Sequence, residues 1–315
     1  MLKVMATVVR QLSFCAVLGL SFWCAVACTR FGTTFGATTT VSVGTFNIAW
    51  MGDGINDRIV RSEADIERIA EVIRDANADV LALQEIENEQ ALKRVLRLLP
   101  QYRFVMPGIT AANSSKQRLA VLFKPSMTVT ALGEYTPLAI DAARHRAGFV
   151  VRCSVRCSTW FTRDSLQWVM MVVHLKSTSN ADSTLALKDS SRSIRRLQAQ
   201  RTAWWLDSVQ RHEPNVVVLG DMNDAPLGNG KRASTLDALT ALTTTGSATF
   251  LTEGMTSCKH TLWQSIDHIL VSAAMRALYV PYSATMIAFP HQYNHDQADR
   301  VSDHCPVVCR FYVCK

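Results

Sequence analysis

Residues 216–223 read Val216-Val217-Val218-Leu219-Gly220-Asp221-Met222-Asn223. Four apolar residues with no polar alternation describe a strand buried on both faces, and the run ends on a glycine, a carboxylate and an amide. An ionised carboxylate against such a run is costly unless it is paired or holds a cation. One such residue reads as a turn or a helix cap. Outward from this strand, however, the same ending recurs. Val41–Ile48 carries Asn47 near its end, Asp79-Val80-Leu81-Ala82-Leu83 runs into Gln84-Glu85, and Trp168–His174 closes on His174. Asp267 and His268 sit in Ser265-Ile266-Asp267-His268-Ile269-Leu270, and Asp303-His304 precede Cys305-Pro306-Val307-Val308. Caps do not account for polar residues at so many successive strand ends. If the strands are neighbours, their ends converge on one rim, as ligand sites of open α/β sheets do.

Between these strands lie helical patterns. Ser62 reads as an N-cap, with Ile66, Ile69, Ala70 and Ile73 on one helical face behind it. A second helix is expected over Glu89 to Leu99, stopped by Pro100, and a long Arg-rich amphipathic one over Asp189 to Arg211. Further strands are expected at Leu119–Phe123, Gly148–Val155, Ile266–Val271 and Pro306–Val313. Strands outnumber helices, and neither a linker nor a repeat of fixed period interrupts residues 41–315, so these read as one α/β domain. The polar loops Ser177–Ser183 and Ala225–Ser234 follow candidate catalytic residues, the usual place for functional loops on a rigid scaffold.

The formal charge of +7 suits a polyanionic partner, although no basic tail concentrates it. A mean hydropathy of +0.08 excludes a disordered, solvated chain. Lys3 and Arg10 precede the apolar run Leu12–Ala27, which ends on Ala25-Val26-Ala27, the small-x-small pattern of a signal-peptide cleavage site. Cys28 follows, as in a lipoprotein processing site where that cysteine becomes the lipidated N-terminus. Simple cleavage, lipidation of Cys28 and an uncleaved anchor all place the domain outside the cytoplasm, periplasmic or at the cell surface. Residues 28–40 then form a small-residue tether. Cys153, Cys157, Cys258, Cys305, Cys309 and Cys314 are an even set, and an oxidising compartment permits disulfides among them with the pairing open. A zinc site is the rival reading, against which both close-spaced pairs lie in strand-like segments.

Six blocks now stand in order: Thr45-Phe46-Asn47, Leu83-Gln84-Glu85, Val173-His174, Gly220-Asp221-Met222-Asn223, Ile266-Asp267-His268 and Ser302-Asp303-His304-Cys305-Pro306. In identity and order they resemble the endonuclease/exonuclease/phosphatase superfamily, which includes deoxyribonuclease I, exonuclease III-type repair nucleases, sphingomyelinases and inositol polyphosphate phosphatases. The resemblance spans roughly residues 41–313 and implies a four-layer sandwich, two packed, mostly antiparallel β-sheets flanked by helices. It also implies Mg²⁺ (or Mn²⁺ or Ca²⁺) held by Glu85, with Asn47 beside it through its amide oxygen and Asp303 as a further carboxylate. His304 resembles the base-like histidine next to the scissile phosphate, and Asp267 the carboxylate that orients it. Asp221 would position or deprotonate the attacking water, Asn223 would donate to a phosphate oxygen, and His174 would contact phosphate and assist the leaving oxygen. At this last position exonuclease III-type enzymes usually carry tyrosine, so histidine tilts towards the deoxyribonuclease I and phosphatase branches.

Arg118 and Arg146, each just before a strand, are candidates for phosphate contact or for solvated strand edges. His145, His260, His291 and His295 match no block and read as surface residues. His268 should face away from Asp267 and be buried. Trp204 and Trp205 read as core packing. Arg192, Arg195 and Arg196 read as a solvated face or as a track for a nucleic-acid backbone. Val173-His174-Leu175-Lys176-Ser177, followed by Gln198, Gln200 and Arg201, resembles bacterial extracellular nucleases. The expected function is therefore an exported, metal-dependent phosphodiesterase, a DNA endonuclease first. A lipid or inositol phosphate hydrolase such as a sphingomyelinase is the second reading, and a non-catalytic surface binding protein the third.

Overall fold

The computed structural model describes residues 40–108, 117–157, 165–178, 182–226, 238–244, 248–259 and 262–313. The signal segment, Cys28, nearly all of the tether, His260, Cys314 and parts of both polar loops (179–181 and 227–234) lie outside them. In chain order the elements are β1 (Thr40–Met51), α1 (Glu63–Ala76), β2 (Val80–Ile86), α2 (Glu89–Leu96), β3 (Arg103–Val105), β4 (Arg118–Phe123), β5 (Met127–Tyr135), β6 (Gly148–Arg156) and β7 (Ser165–His174). They continue with α3 (Leu185–Gln210), β8 (Val216–Asp221), β9 (Ala248–Phe250), β10 (Asp267–Ser272), α4 (Ala273–Ala277), β11 (Thr285–Met286), α5 (His295–Val301) and β12 (Val307–Tyr312).

Two six-stranded sheets result, ordered β11-β12-β1-β2-β4-β3 and β5-β6-β7-β8-β10-β9. Each has a single parallel pair at its centre, β1 with β2 and β7 with β8, and is otherwise antiparallel. A parallel pair needs a crossover, supplied by α1 in the first sheet and α3 in the second. Alternation along the strands then sorts the core into three layers. Val43, Val80, Ala82, Met170, Val172, Val217, Leu219, Ile269 and Val271 meet between the sheets. Phe46, Ile48, Leu81 and Leu83 face α1, α2 and α5, whereas Val169, Met171, Val173, Val216 and Val218 face α3. The expected four-layer sandwich is what forms.

Ser62 caps α1 in a reciprocal capping box with Asp65, and Ile66, Ile69, Ala70 and Ile73 are buried as their spacing predicted. The second helix ends at Leu96, earlier than Pro100 implied. The long helix begins at Leu185, because the Thr184 hydroxyl accepts the Leu187 N–H and starts it one turn sooner. No helix among the described residues is long and apolar enough to cross a membrane.

Several single-residue expectations are corrected. Trp205 is buried against α3's core layer, but Trp204 is 64% exposed. Arg195 is buried and paired with Asp224 at 3.0 Å, and Arg192 pairs with Asp189, so neither offers a track for a backbone of phosphates. His145 is buried, its Nδ1 accepting the Asp141 N–H at 3.0 Å. Of the cysteines, Cys258 and Cys305 form a disulfide and Cys157 is also disulfide-bonded. Cys153 and Cys309 are buried thiols pushed up by burial, so the even set is not three bridges.

Candidate active site

The strand-end residues meet because of strand parity. Asn47 follows Val43 by four residues, His174 follows Val172 by two, Asp221 follows Leu219 by two, and Asp267 precedes Ile269 by two. All therefore lie on the sheet faces that look at each other, at one end of the intersheet core. In the second sheet His174 stands directly beside Asp221, and Asp221 beside Asp267. Gly220 makes that register possible. Its φ is +143°, and a Cβ there would sit 2.0 Å from the Val173 carbonyl oxygen, so only glycine fits.

Glu85 has the wrong parity. Like Leu81 and Leu83, it should face the helices. The pairing of β2 with β4 shifts register between Leu83 and Ile86, and Glu85 takes a left-handed φ of 64°. This bulge turns its carboxylate into the site. On the neighbouring strand Ala49 and Trp50 are also left-handed, at 47° and 58°, each at a cost of roughly 1–3 kcal/mol and each persisting only because the surrounding contacts over-determine it. The Trp50 N–H donates to Glu85 Oε2 at 3.0 Å.

The Asn47 amide nitrogen donates to Glu85 Oε1 at 3.2 Å and to Asp221 Oδ2 at 3.1 Å. Its amide oxygen, expected to face a cation, instead accepts the Ala49 N–H at 2.9 Å. His174 Nε2 lies 3.4 Å from Asp221 Oδ2 and 3.7 Å from Glu85 Oε1. Burial, then Arg146 and His304, push this imidazole well below its ordinary value, so it is neutral. His304 comes from the first sheet, yet its Nδ1 meets Asp267 Oδ2 of the second at 2.7 Å. Burial opposes its charge, but Asp267, Asp221 and Asp303 outweigh that and raise it well above the ordinary imidazole value. That favours a proton donor over the base-like nitrogen implied by the resemblance. Burial, with Asp267 and Glu85 nearby, pushes the Asp221 carboxyl up to about 7, against the opposing pull of His304. Asn223 donates its N–H to Asp221 Oδ1 at 2.8 Å and one amide hydrogen to the Leu175 carbonyl at 3.1 Å.

Asp303 is the outlying member. Its side chain is 74% exposed, with Oδ1 3.9 Å from His304 Nε2. It lines two cavities that flank the cluster. One, about 250 Å³, lies on the His304 and Asp267 side with Lys259, Trp263 and Gln264. The other, about 320 Å³, contains Glu85, Trp50 and Arg58.

A profile of the Endonuclease/Exonuclease/phosphatase family matches residues 44–304. The chain belongs to that family. Its members hydrolyse phosphoester bonds with divalent metals. Among solved structures, the chain is similar to truncated Caenorhabditis elegans TDP2 (TM-score 0.57, 16% identity, covering 87% of this chain and 98% of that one). It is similar also to the human Nocturnin catalytic domain with bound sulfate (0.57, 15%, 87% and 95%). A third is the Bacteroides thetaiotaomicron mannosyl-6-phosphatase (0.52, 14%, 85% and 98%). At these identities the likeness is one of fold. No curated protein sequence matches.

The donor set of this family member fits a hard divalent cation. Three buried carboxylates, Glu85, Asp221 and Asp267, crowd one end of the intersheet core, and Asp267 Oδ1 is buried without a protein partner. Asp221, Asp267 and His304 each offer a ligand atom within 4.8 Å of the others. That grouping differs from the expected Asn47, Glu85 and Asp303, and the His304–Asp267 hydrogen bond competes with metal for it. Glu85 and Asp303 share the larger cavity, where oxygen ligands and water suit Mg²⁺.

The two arginines separate. Arg146 acts electrostatically on Glu85, Asp221 and His174 while its guanidinium is held by the Gln117 side chain and carbonyl. Arg118 is buried, donates to the Pro107 carbonyl, and has Glu134 and Glu89 as its charged neighbours. Arg118 is thus not a solvated strand edge, and it stands opposite Ile86, one residue past Glu85. Ser302 is a residue that sequence reasoning left unassigned. Its hydroxyl donates to the Asn47 carbonyl at 2.7 Å and accepts the His304 N–H at 3.0 Å, tying the two blocks together. Its place inside the Ser302-Asp303-His304 block was the available signal.

His268 is buried and faces away from the cluster, as expected. Its Nε2 donates to the Asp224 carbonyl at 3.0 Å, leaving Nδ1 to accept the Thr252 hydroxyl at 2.8 Å. Burial pushes it from 6.5 down to about 4. Between those values the unfolded chain binds the extra proton, so stability should fall as pH drops through this window, by about 3 kcal/mol in all. Urea unfolding at pH 7 and pH 5 checks this. An equal loss in His268→Gln would assign it to other groups.

Proposed function

We propose that this protein is an exported, Mg²⁺-dependent phosphodiesterase that cleaves DNA, with Mn²⁺ or Ca²⁺ as alternative ions. The observation that carries the phosphodiester reading is the cluster of Glu85, Asp221, Asp267, His174 and His304 between two cavities. A diester has an esterified group on each side of its phosphorus, and the cavities offer room for both. The net charge of +7 favours a polyanion, and Arg146 adds positive potential beside the cluster. Export is read from Lys3, Arg10 and the run ending at Ala27. Recovery of the full-length, uncleaved chain only in the cytoplasmic fraction would remove it. Labelled fatty acid entering wild type but not Cys28→Ser would establish membrane attachment through Cys28.

Glu85 and Asp303 would hold the cation, which when bound supplies charge stabilisation at the phosphate oxygens. The remaining work falls to side chains. Asp221, with its carboxyl near 7, is poised to take a proton from the attacking water. His304, kept protonated and oriented by Asp267, donates to a phosphate oxygen. His174, neutral and buried, donates from Nε2 towards the leaving oxygen, and Asn223 supplies a further N–H.

The test offers residues 29–315 plasmid DNA, sphingomyelin, inositol phosphates and mannose 6-phosphate, each with Mg²⁺ and with chelator. Mg²⁺-dependent DNA nicking is expected. Turnover of only a lipid or sugar phosphate would move the substrate to that class. Binding of DNA with no hydrolysis of any ester would make the protein a non-catalytic binder.

A further inference from the structure

Arg61 belongs to none of the blocks that pointed to chemistry, yet it is only 5% exposed and lies beneath the site. Among the described residues its guanidinium is spent on backbone carbonyls alone. Nη2 donates to Ile48 at 2.9 Å, Ala49 at 2.7 Å and Val301 at 3.3 Å, Nη1 to Trp50 at 2.9 Å, and Nε to Arg300 at 2.6 Å. Three of these carbonyls belong to the left-handed turn that follows Asn47. The other two end α5, directly before Ser302, Asp303 and His304. One planar cation therefore joins two chain segments that both line the Glu85 cavity, one through Ala49 and Trp50 and the other through Asp299 and Asp303.

Chemistry favours a purpose for this arrangement. A buried cation without a carboxylate in contact is expensive, and the fold meets that expense with five carbonyl dipoles. Asp65, Asp57 and Glu85 act on Arg61 only through space. Burial lowers it to about 10, so it stays charged at neutral pH. The turn it holds presents the Trp50 N–H to Glu85 Oε2 at 3.0 Å, while the segment it holds on the other side presents Asp303 to the same cavity. Neither carboxylate touches Arg61, so its action on them is indirect.

We propose that Arg61 is a positioning residue that sets the separation of Glu85 and Asp303 and thereby the affinity of the site for a divalent cation. This rests on the proposed metal role of those two carboxylates. Lysine keeps the charge but places three donors on one atom, which cannot fan across two segments as a guanidinium does.

The experiment is titration calorimetry of Mg²⁺ alone into wild type, Glu85→Gln, Arg61→Lys and Arg61→Gln, with melting temperatures and steady-state kinetics alongside. In at least one folded Arg61 variant, Mg²⁺ binding should weaken by about 10- to 100-fold. At subsaturating Mg²⁺ kcat should fall while KM changes little, and saturating Mg²⁺ should restore most of it. Arg61→Gln removes the buried charge along with the fan, so it folds more readily if Arg61→Lys does not. A lowered melting temperature with wild-type Mg²⁺ affinity and kcat would make Arg61 purely structural and overturn the proposal, as would failure of both variants to fold. Equal Mg²⁺ binding by wild type and Glu85→Gln would instead overturn the metal role of Glu85, and the proposal with it.

Discussion

Glu85→Gln should lower turnover by roughly a thousandfold or more while leaving the fold intact. The amide keeps the shape that fills the bulge and its oxygen can still accept the Trp50 N–H, at the loss of the hydrogen bond from the Asn47 amide nitrogen, but it removes the charge that would hold the cation. Several kcal/mol of charge stabilisation at a phosphoryl centre correspond to about three powers of ten in rate. Stability should change little, because the lost Asn47 hydrogen bond is offset by relief at Asp221, which Glu85 helps to push up to about 7. Removing it relieves part of that repulsion. Steady-state hydrolysis with Mg²⁺ and a thermal melt measure the two halves. A folded Glu85→Gln enzyme that turns over at the wild-type rate would take Glu85 out of the metal site.

A comparable loss is expected from the histidines, and its pattern is more telling than its size. His174→Ala and His304→Ala should each cost about 10²- to 10⁴-fold in kcat, with far smaller changes in DNA affinity. The double variant should cost little beyond the worse single, since both histidines serve one step. The geometry supports this, as Asp221 Oδ2 lies 3.4 Å from His174 Nε2 and 3.8 Å from His304 Nε2. Cleavage assays and binding isotherms on the three variants decide it. Multiplicative losses would place the histidines in separate steps, and intact cleavage in either single would free that residue from the mechanism.

How far the site was legible depended on the residue. Asn47, His174, Asp221 and Asp267 were readable because each borders an apolar run, Asp267 at its start and the others near its end, and alternation fixes the face it takes. His268 was readable for the same reason with the opposite sign. His145 lies in no periodic run that reports its face, and Trp204 lies on the solvent side of α3, where the apolar character of a tryptophan does not report burial. Arg195 was misjudged because its partner Asp224 lies 29 residues away, and composition treats every arginine as solvated until such a partner is known. The start of α3 differs too. Thr184 starts α3 through one hydroxyl contact, a signal weaker than the helical pattern that begins at Asp189.

By itself the sequence determined the strand-and-helix alternation, the six polar blocks and hence the family. Those features are local, set by burial and periodicity along a few consecutive residues. Tertiary structure decided the rest. Only the register shift beside β4 turns Glu85 off the helix-facing side and into the site. Only the packing of one sheet on the other brings His304 within 2.7 Å of Asp267, 37 residues earlier in the chain. The same packing sets Arg146 beside the cluster, while the packing of α5 against the first sheet's helices gathers five carbonyls from two distant segments around Arg61. A contact between segments that are distant in the chain carries no periodic trace in either one, so its geometry exists only once both sheets have closed on their common core.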